Sequence, residues 1–259
     1  MVNATAGFLE LPPRSGKPRR TGITHVLDKG LPVRETESLL EVTGGYVDVW
    51  KFGWGTAYLD LGLKAKLAVL ERHGILACTG GTLLEVAWHQ GVVQRYLDWA
   101  EAAGFPCVEV SCGVITLTSD QRRSLVEQAA QRFTVLGEVG VKDPRADVVA
   151  NAWAQDAREI LAAGATWVVT EGRESGTVGL YEPDGRVRSE VVDSVVGAIG
   201  ADATIFEAPH KEQQAWLIRR FGADVNLANI PPAEVLGLEA LRLGLRADTF
   251  DPSSMERSR

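Results

Sequence analysis

Charged side chains recur at the carboxyl ends of short apolar segments in this chain. The clearest case is the segment 47–51, which is rich in β-branched and aromatic residues and ends at Lys51. Gly53 and Gly55 follow it and permit a tight turn in which backbone amides point outward. A strand that delivers a cation to a glycine-rich turn is suited to binding an anion.

Other apolar segments end in the same way. If these segments are parallel strands of one barrel, their carboxyl ends meet at a common rim, where such barrels place reactive groups. The rim residues would then be Asp28, Lys29, Lys51, Thr79, Gly80, Gly81, Thr82, Glu109, Ser111, Glu138, Lys142, Glu171, Arg173, Glu174, Glu207, His210, Lys211, Asn226 and Asn229. Several cations for an anionic substrate, beside carboxylates for a divalent metal, are the simplest account of this set. Ion pairs among the rim residues are the alternative.

The run Thr79-Gly80-Gly81-Thr82 precedes a helical pattern that starts at Leu83. Free amide groups at the start of a helix favour an anion, so this run is a candidate phosphate-binding loop. The glycines could also serve the turn alone. His210 is the histidine that lies at a candidate site, and Cys112 is a lone thiol with no sign of reactivity.

Eight strand-like segments alternate with eight helix-like segments after residue 21. The predicted strands are 22–27, 47–51, 75–78, 107–110, 135–138, 167–171, 204–207 and 225–227, and the predicted helices are 36–42, 61–72, 86–103, 119–132, 146–163, 187–199, 212–221 and 233–243. Strands that are apolar throughout favour a parallel sheet, and eight such units predict a single-domain (β/α)8 barrel. An open doubly wound sheet is the alternative, but its Gly-x-Gly-x-x-Gly fingerprint is missing after the first strand.

Composition limits the possible partners. The 259 residues carry a formal charge of -7, and the basic residues gather only in the amino-terminal run 14–20, which predicts a solvated arm. This charge argues against nucleic acid and anionic membrane as partners. Three cysteines without a Cys-x-x-Cys pair indicate neither a disulfide framework nor structural zinc, so a cytoplasmic protein is expected. We expect residues 1–20 to form an arm that is partly disordered or is ordered by a neighbour, residues 21–250 to form the barrel and residues 251–259 to form a tail.

Several motifs in order along the chain resemble the phosphosulfolactate synthase family. They are Ile23-Thr24-His25-Val26-Leu27-Asp28-Lys29-Gly30, Asp48-Val49-Trp50-Lys51-Phe52-Gly53-Trp54-Gly55-Thr56, Gly80-Gly81-Thr82-Leu83, Glu138-Val139-Gly140, Phe206-Glu207-Ala208-Pro209 with Lys211, and Val225-Asn226-Leu227. The resemblance implies a (β/α)8 barrel that adds sulfite to phosphoenolpyruvate with Mg²⁺, giving (2R)-2-O-phospho-3-sulfolactate. In methanogens this product leads to coenzyme M. Similar proteins include heat-stress-associated plant proteins.

The resemblance suggests roles for individual residues. Lys142 would protonate C2 of the substrate, although Val141 stands where the family pattern has another lysine. Glu109, Glu138, Glu171 and Glu207 would supply the metal ligands. The residues that would hold phosphate, carboxylate and sulfite are Lys29, Lys51, Gly80, Gly81, Thr82, Arg173, Lys211 and Asn226. A homo-oligomer is expected.

Two other functions are compatible with the sequence. A diverged barrel of the same family could act on another phosphorylated small acid or serve a non-catalytic, stress-related role. An interaction module is the third possibility, suggested only by the basic arm and the acidic body. The irregular segment 173–185 is predicted to be a long loop after the sixth strand, and long loops at this face are often lids.

Overall fold

The computed structural model describes residues 7–140 and 148–250. Within these ranges, eight parallel strands close into one barrel, in which each strand pairs with its neighbours along the chain and the last pairs with the first. The predicted single-domain (β/α)8 barrel is confirmed, and the open doubly wound sheet is excluded.

The strands are short and almost fully buried. They are β1 (Thr24–Asp28), β2 (Val49–Phe52), β3 (Leu76–Thr79), β4 (Cys107–Val110), β5 (Thr134–Val139), β6 (Trp167–Thr170), β7 (Thr204–Glu207) and β8 (Leu227–Ile230). The predictions for β4 and β7 match these bounds. The prediction for β8 was displaced toward the amino terminus by two to three residues, which affects the assignment of Asn226 below.

The helices that cover the barrel are α1 (Val33–Thr43), α2 (Thr56–Leu59), α3 (Leu63–Arg72), α4 (Gly81–His89), α5 (Val93–Ala103), α6 (Ser119–Ala130), α7 (Ala150–Ala162), α8 (Ser189–Ile199), α9 (Lys211–Phe221) and α10 (Val235–Arg242). The single helix predicted over 86–103 is two helices, α4 and α5. They are separated at Gly91, whose φ of 68° is left-handed and ends the first helix. None of the helices in the described ranges combines the length and apolar character that crossing a bilayer needs.

An apolar layer fills the interior of the barrel. Each described strand, or the residue just before it, supplies one side chain to this layer. This layer, called the barrel plug, consists of Ile23, Val49, Cys78, Cys107, Leu136, Val169, Ile205 and Ala228. A larger apolar cluster lies between the barrel and its helices. Because the plug fills the inside of the barrel, a ligand can enter only the part of the interior beyond it.

Two of the amino-terminal basic residues, Arg14 and Arg19, lie against the barrel, whereas Arg20 is exposed. Arg14 pairs with Asp224 at 2.9 Å and with Glu239 at 3.1 Å. Arg19 pairs with Asp48 at 3.0 Å, and the Arg14 and Arg19 side chains are only 8% and 3% exposed. Asp48 and Asp224 precede β2 and β8, so this segment binds the amino ends of strands, opposite the rim that carries the candidate site. The prediction of a solvated arm was wrong for these side chains.

Candidate functional site

A layer of ionisable side chains lies directly above the barrel plug. Moving two residues along a strand returns to the same face of the sheet, so each plug residue predicts the next inward-facing position. On six strands that position holds an ionisable side chain: His25, Lys51, Glu109, Glu138, Glu171 and Glu207. All six are at most 5% exposed. The alternation of strand faces therefore concentrates one lysine, one histidine and four carboxylates at the carboxyl end of the barrel.

Five of these six side chains, all except His25, line a cavity of about 310 Å³. Among the residues predicted to bind substrate or metal, those that line it are Lys51, Gly80, Gly81, Thr82, Arg173, Glu109, Glu138, Glu171 and Glu207. They come from the ends of β2 to β7, far apart in sequence. The structure thus brings together most of the residues predicted for one site.

Lys51 is the central cation of this cavity. Its Nζ lies 3.0 Å from Glu109 Oε2 and 3.2 Å from Glu207 Oε1. Burial disfavours the charged ammonium, but Glu109, Glu207 and Glu138 outweigh it and raise the pKa of Lys51 above its ordinary value. Lys51 therefore remains protonated at neutral pH. An ammonium has three donors, so the two contacts leave one N–H for a ligand.

The two carboxylates that hold Lys51 are themselves fixed by backbone amides. Glu109 Oε1 accepts a hydrogen bond of 2.9 Å from the amide of Gly81. Glu207 Oε2 accepts bonds of 2.9 Å and 2.8 Å from the amides of Gly172 and Arg173. Because both partners of Lys51 are anchored to the loops after β3 and β6, the ammonium has a defined position in the cavity.

The start of α4 needs glycine because other groups approach it closely. A Cβ atom at Gly81 would overlap Ser111 Oγ and lie 2.6 Å from Ser111 Cβ, and one at Gly80 would lie 2.8 Å from the carbonyl oxygen of Phe52. Ser111 in turn donates a hydrogen bond to the buried carboxylate of Glu85. The two glycines let the helix start reach the cavity, as the anion-loop prediction requires, and α4 begins two residues before the predicted Leu83.

Backbone strain gathers at the same cavity. In the described ranges, the non-glycine residues with positive φ are Trp54 (53°), Arg173 (55°) and Asn229 (57°). All three line the cavity, and they come from the loops after β2 and β6 and from β8. Left-handed backbone at a bulky residue is uncommon and is retained where the surrounding structure enforces it, as at binding sites.

His25 is buried at the inner end of this layer, and neither ring nitrogen has a hydrogen-bond partner. Burial, together with the positive charge of Lys51, lowers its pKa well below the ordinary value. The folded protein therefore contains neutral His25, whereas the unfolded chain protonates it below about pH 6.5. Below that pH only the unfolded chain takes up this proton, so the free energy of unfolding should fall by about 1.4 kcal/mol for each pH unit.

We expect His25→Leu to remove this part of the pH dependence, since leucine fills a similar volume without a titrating group. Urea unfolding at pH 7.5, 6.5 and 5.5 measures it: the wild type loses more stability than the variant at the acidic end. His89→Gln is the matched control, because His89 is exposed and its replacement should keep the wild-type slope. Equal slopes in wild type and His25→Leu would contradict this account of His25.

Three of the predicted binding residues lie outside the cavity lining. Lys29 is exposed, with its ammonium 5.0 Å from the ring centroid of Trp54, which places it at the rim. Lys211, the first residue of α9, pairs with Asp248 at 3.0 Å and Glu212 at 3.5 Å. We therefore remove Lys211 from the set of cavity residues and keep Lys29 as a rim residue.

Asn226 lies at the opposite end of the barrel. Its Oδ1 accepts a hydrogen bond of 3.0 Å from the amide of Ile23, and its Nδ2 donates to the carbonyl oxygens of Asp202 and Thr204 at 3.1 and 3.0 Å. Ile23 and Thr204 mark the amino ends of β1 and β7. Asn226 therefore joins strand starts, and Asn229 replaces it at the cavity because β8 begins later than predicted.

The expectation of a cation-rich mouth needs a correction. The described lining contains two cations, Lys51 and Arg173, against five carboxylates, which are Glu109, Glu138, Glu171, Glu174 and Glu207. In the described part of the chain, no three His, Cys, Asp or Glu side chains are grouped as a metal-binding cluster. The four glutamates predicted as metal ligands thus share a cavity without forming one preformed metal site. Lys142, predicted as the catalytic acid, and Val141 lie outside the described residues.

The segment 173–185 is attached to the barrel at several points. Gln213 Nε2 donates to the carbonyl oxygens of Gly176 at 2.8 Å and Gly185 at 3.3 Å. The hydroxyl of Tyr181 donates to the carbonyl oxygen of Glu207, and His210 Nε2 lies 2.9 Å from the carbonyl oxygen of Ser175. His210 thus contacts this loop, and the lid function stays a prediction.

Cys112 is not activated as a nucleophile. Burial raises the pKa of its thiol, and this effect exceeds the opposing influence of Arg122. Arg122 Nη1 is 3.9 Å from the sulfur and also pairs with Asp156. A thiol that is mostly protonated at neutral pH is a poor nucleophile, so Cys112 has no part in the proposed chemistry.

Comparison with known proteins agrees with this architecture. The family described as (2R)-phospho-3-sulfolactate synthase (ComA) matches residues 12–248. Phosphosulfolactate synthase of Methanothermobacter thermautotrophicus is 41% identical over 92% of this chain and 95% of its own length. The Bacillus subtilis protein of the same name is 38% identical over 93% and 97% of the two chains.

More distant relatives have lower sequence identity to this chain. The Arabidopsis thaliana protein HEAT-STRESS-ASSOCIATED 32 is 23% identical over 91% of this chain and 90% of its own length. Among solved structures, 3-hexulose-6-phosphate synthase from Salmonella typhimurium superposes with a TM-score of 0.55 at 15% identity, covering 84% of this chain and 96% of that chain. At that identity the likeness supports the barrel fold alone.

Proposed function

Since the chain belongs to the phosphosulfolactate synthase family, we propose that it adds sulfite to phosphoenolpyruvate to form (2R)-2-O-phospho-3-sulfolactate. The observation that carries the proposal is the position of Lys51, a lysine that is protonated at neutral pH and has one N–H left for a ligand, in a cavity beside Arg173 and the start of α4. These groups offer point charge, forked donors and backbone amides, the donors that small phosphorylated acids require.

The proposed reaction needs no activated side-chain nucleophile, because sulfite is itself one. The sulfur lone pair forms the C3–S bond, the C2=C3 electrons move toward C2 and the carboxylate, and one proton adds to C2. The chain must orient two anions and stabilise the negative charge that develops. Lys51 and Arg173 are proposed to hold carboxylate or phosphate oxygens, and the amide of Thr82 to support the phosphoryl group.

The charge of the described lining supports a role for a divalent cation. Five carboxylates and two cations give a formal lining charge near -3, which by itself would repel two anionic substrates. Mg²⁺ is usually bound by one or two protein carboxylates together with substrate oxygens and water, so it does not need a cluster of three protein ligands. The proposed ligands come from the four glutamates that line the cavity, Glu109, Glu138, Glu171 and Glu207. When bound, Mg²⁺ would stabilise negative charge on the substrate.

Lys142 is kept as the proposed proton donor to C2, on the strength of the family motif alone. A lysine with an ordinary pKa near 10.4 is protonated at neutral pH and can serve as an acid. We expect Lys142→Ala to lower turnover by at least about 10²-fold while phosphoenolpyruvate binding, measured by calorimetry, persists. Lys64→Ala, on α3, is the control and should leave turnover unchanged. Near-normal turnover in Lys142→Ala would discard the role.

The reaction itself is tested by incubating the purified protein with phosphoenolpyruvate, sulfite and Mg²⁺ and identifying the sulfonate by mass spectrometry. We expect a product that requires both substrates and is reduced by chelation of the metal. Absence of product over a range of pH and metal conditions would favour the alternative, a diverged barrel that acts on another phosphorylated acid or has a non-catalytic role. The likeness to the plant heat-stress protein is the observation behind that alternative.

A further inference from the structure

Asn229 occupies an irregular position in β8. Between β1 and β8 the register runs from Thr24–Leu227 to Val26–Ile230, so two steps on β1 face three on β8. This extra residue is a β-bulge, a feature that often redirects a side chain next to an active site. Asn229 lies within the bulge and lines the cavity, although its neighbour Ala228 belongs to the barrel plug.

The side chain of Asn229 is buried, and its carboxamide oxygen is unpaired among the described residues. The residue is 4% exposed, and its Oδ1 has no hydrogen-bond partner in the described structure. A buried polar atom without a partner costs about 1–3 kcal/mol. Glycine would adopt the φ of 57° with less strain and without this cost. Asparagine tolerates left-handed backbone better than most non-glycine residues, but this tolerance does not explain a buried carboxamide oxygen without a partner. A ligand in the cavity would give the carboxamide a partner.

We infer that Asn229 is a ligand-binding residue of this site, and that its carboxamide hydrogen-bonds an oxygen of the phosphorylated acid. Rotation of the carboxamide by 180° exchanges Oδ1 and Nδ2, so the group can present either an acceptor or a donor at the same point. A ligand built of anionic oxygens selects the Nδ2 donor. This inference rests on the proposed function for the class of ligand.

A neutral donor at this position has a specific consequence. Lys51 and Arg173 attract any small anion through their charge. The neutral carboxamide of Asn229 strengthens binding only when a ligand oxygen lies where its hydrogen bond points. Sites built to hydrogen-bond a substrate discriminate strongly against ligands that leave the polar group without a partner. Asn229 should therefore favour phosphoenolpyruvate over inorganic phosphate, which can satisfy the cations without reaching the bulge.

The test compares Asn229→Gly with wild type, because glycine keeps the left-handed backbone and removes only the carboxamide. We expect Asn229→Gly to fold with an unchanged or higher Tm and to bind phosphoenolpyruvate about 10- to 100-fold more weakly in calorimetry, in line with a hydrogen bond to a charged group. Its affinity for inorganic phosphate should change much less. Asn229→Asp should bind phosphoenolpyruvate more weakly still, since a carboxylate repels the anion.

Asn226→Ala is the matched control. That variant loses buried hydrogen bonds at the amino ends of the strands, so it should lower the Tm and leave the affinity of the folded protein for phosphoenolpyruvate unchanged. Unchanged phosphoenolpyruvate affinity in Asn229→Gly would overturn the inference, as would failure of the wild type to bind phosphoenolpyruvate. Binding that depends on Asn229 without formation of a sulfonate would support the inference and contradict the proposed function.

Discussion

Replacing Lys51 with methionine should lower turnover on the order of 10³-fold and destabilise the fold by about 3–5 kcal/mol. Methionine keeps much of the side-chain volume but removes the charge that Glu109 and Glu207 surround. The two buried carboxylates would then lie close together without the charge of Lys51 between them, and the ligand would lose the central cation of its site. Steady-state kinetics and urea unfolding measure the two effects.

A second substitution separates the stability effect from the loss of activity. Glu109→Gln in the Lys51→Met background removes one uncompensated carboxylate, so the double variant should recover part of the stability and none of the turnover. Lys29→Met is the control at the rim, where an exposed lysine should change unfolding by no more than about 0.5 kcal/mol. Turnover near the wild-type value in Lys51→Met would show that the buried lysine is structural only.

Gly81→Ala should reduce turnover about 10²-fold and lower stability by a few kcal/mol, although it adds a single methyl group. The added Cβ would overlap Ser111 Oγ, and Ser111 cannot easily move because it is bonded to the buried Glu85. The start of α4 must shift instead, which breaks the bond from the Gly81 amide to Glu109 and displaces the partner of Lys51. Kinetics and thermal unfolding measure the two effects.

Removing the opposing side chain gives the control for Gly81. The double variant Gly81→Ala with Ser111→Gly makes room for the methyl group and should regain at least part of the lost stability. Gly197→Ala is a matched helical glycine with open space around its Cβ position, and it should be neutral or slightly stabilising. If Gly81→Ala behaved like Gly197→Ala, the close packing of the helix start would have no functional consequence.

The sequence predicted the barrel because an apolar strand-like segment followed by a helix-like segment occurs eight times. Each occurrence supports the fold separately. Short apolar runs ending in charged residues indicated which side chains would meet at the rim, and Lys51, Arg173 and the four glutamates do meet there. The alternation of strand faces also explains the layer itself, since Lys51 stands two residues after Val49 of the barrel plug, and Glu109 two after Cys107.

The sequence could not predict details set by tertiary structure. Asn226 and Asn229 were both predicted at the rim, and only Asn226 was given a binding role. The bulge in β8 depends on the register with β1, so the sequence could not show that Asn229 is the one that lines the cavity. Lys211 is the first residue of α9, one residue before the predicted helix start, and its pairing with Asp248 depends on the carboxyl-terminal segment folding back. The excess of carboxylates over cations in the described part of the cavity lining was also missed, because the sequence does not show which strand-end side chains enter the cavity.

A crystal structure of the protein with phosphoenolpyruvate and Mg²⁺ tests the central claim most directly. The account predicts the ligand in the cavity above the barrel plug, with anionic oxygens about 3 Å from Lys51 Nζ and from the Arg173 guanidinium. Ordered ligand at another surface, or a cavity that stays empty at saturating ligand while Lys51 keeps only its two carboxylate partners, would contradict it.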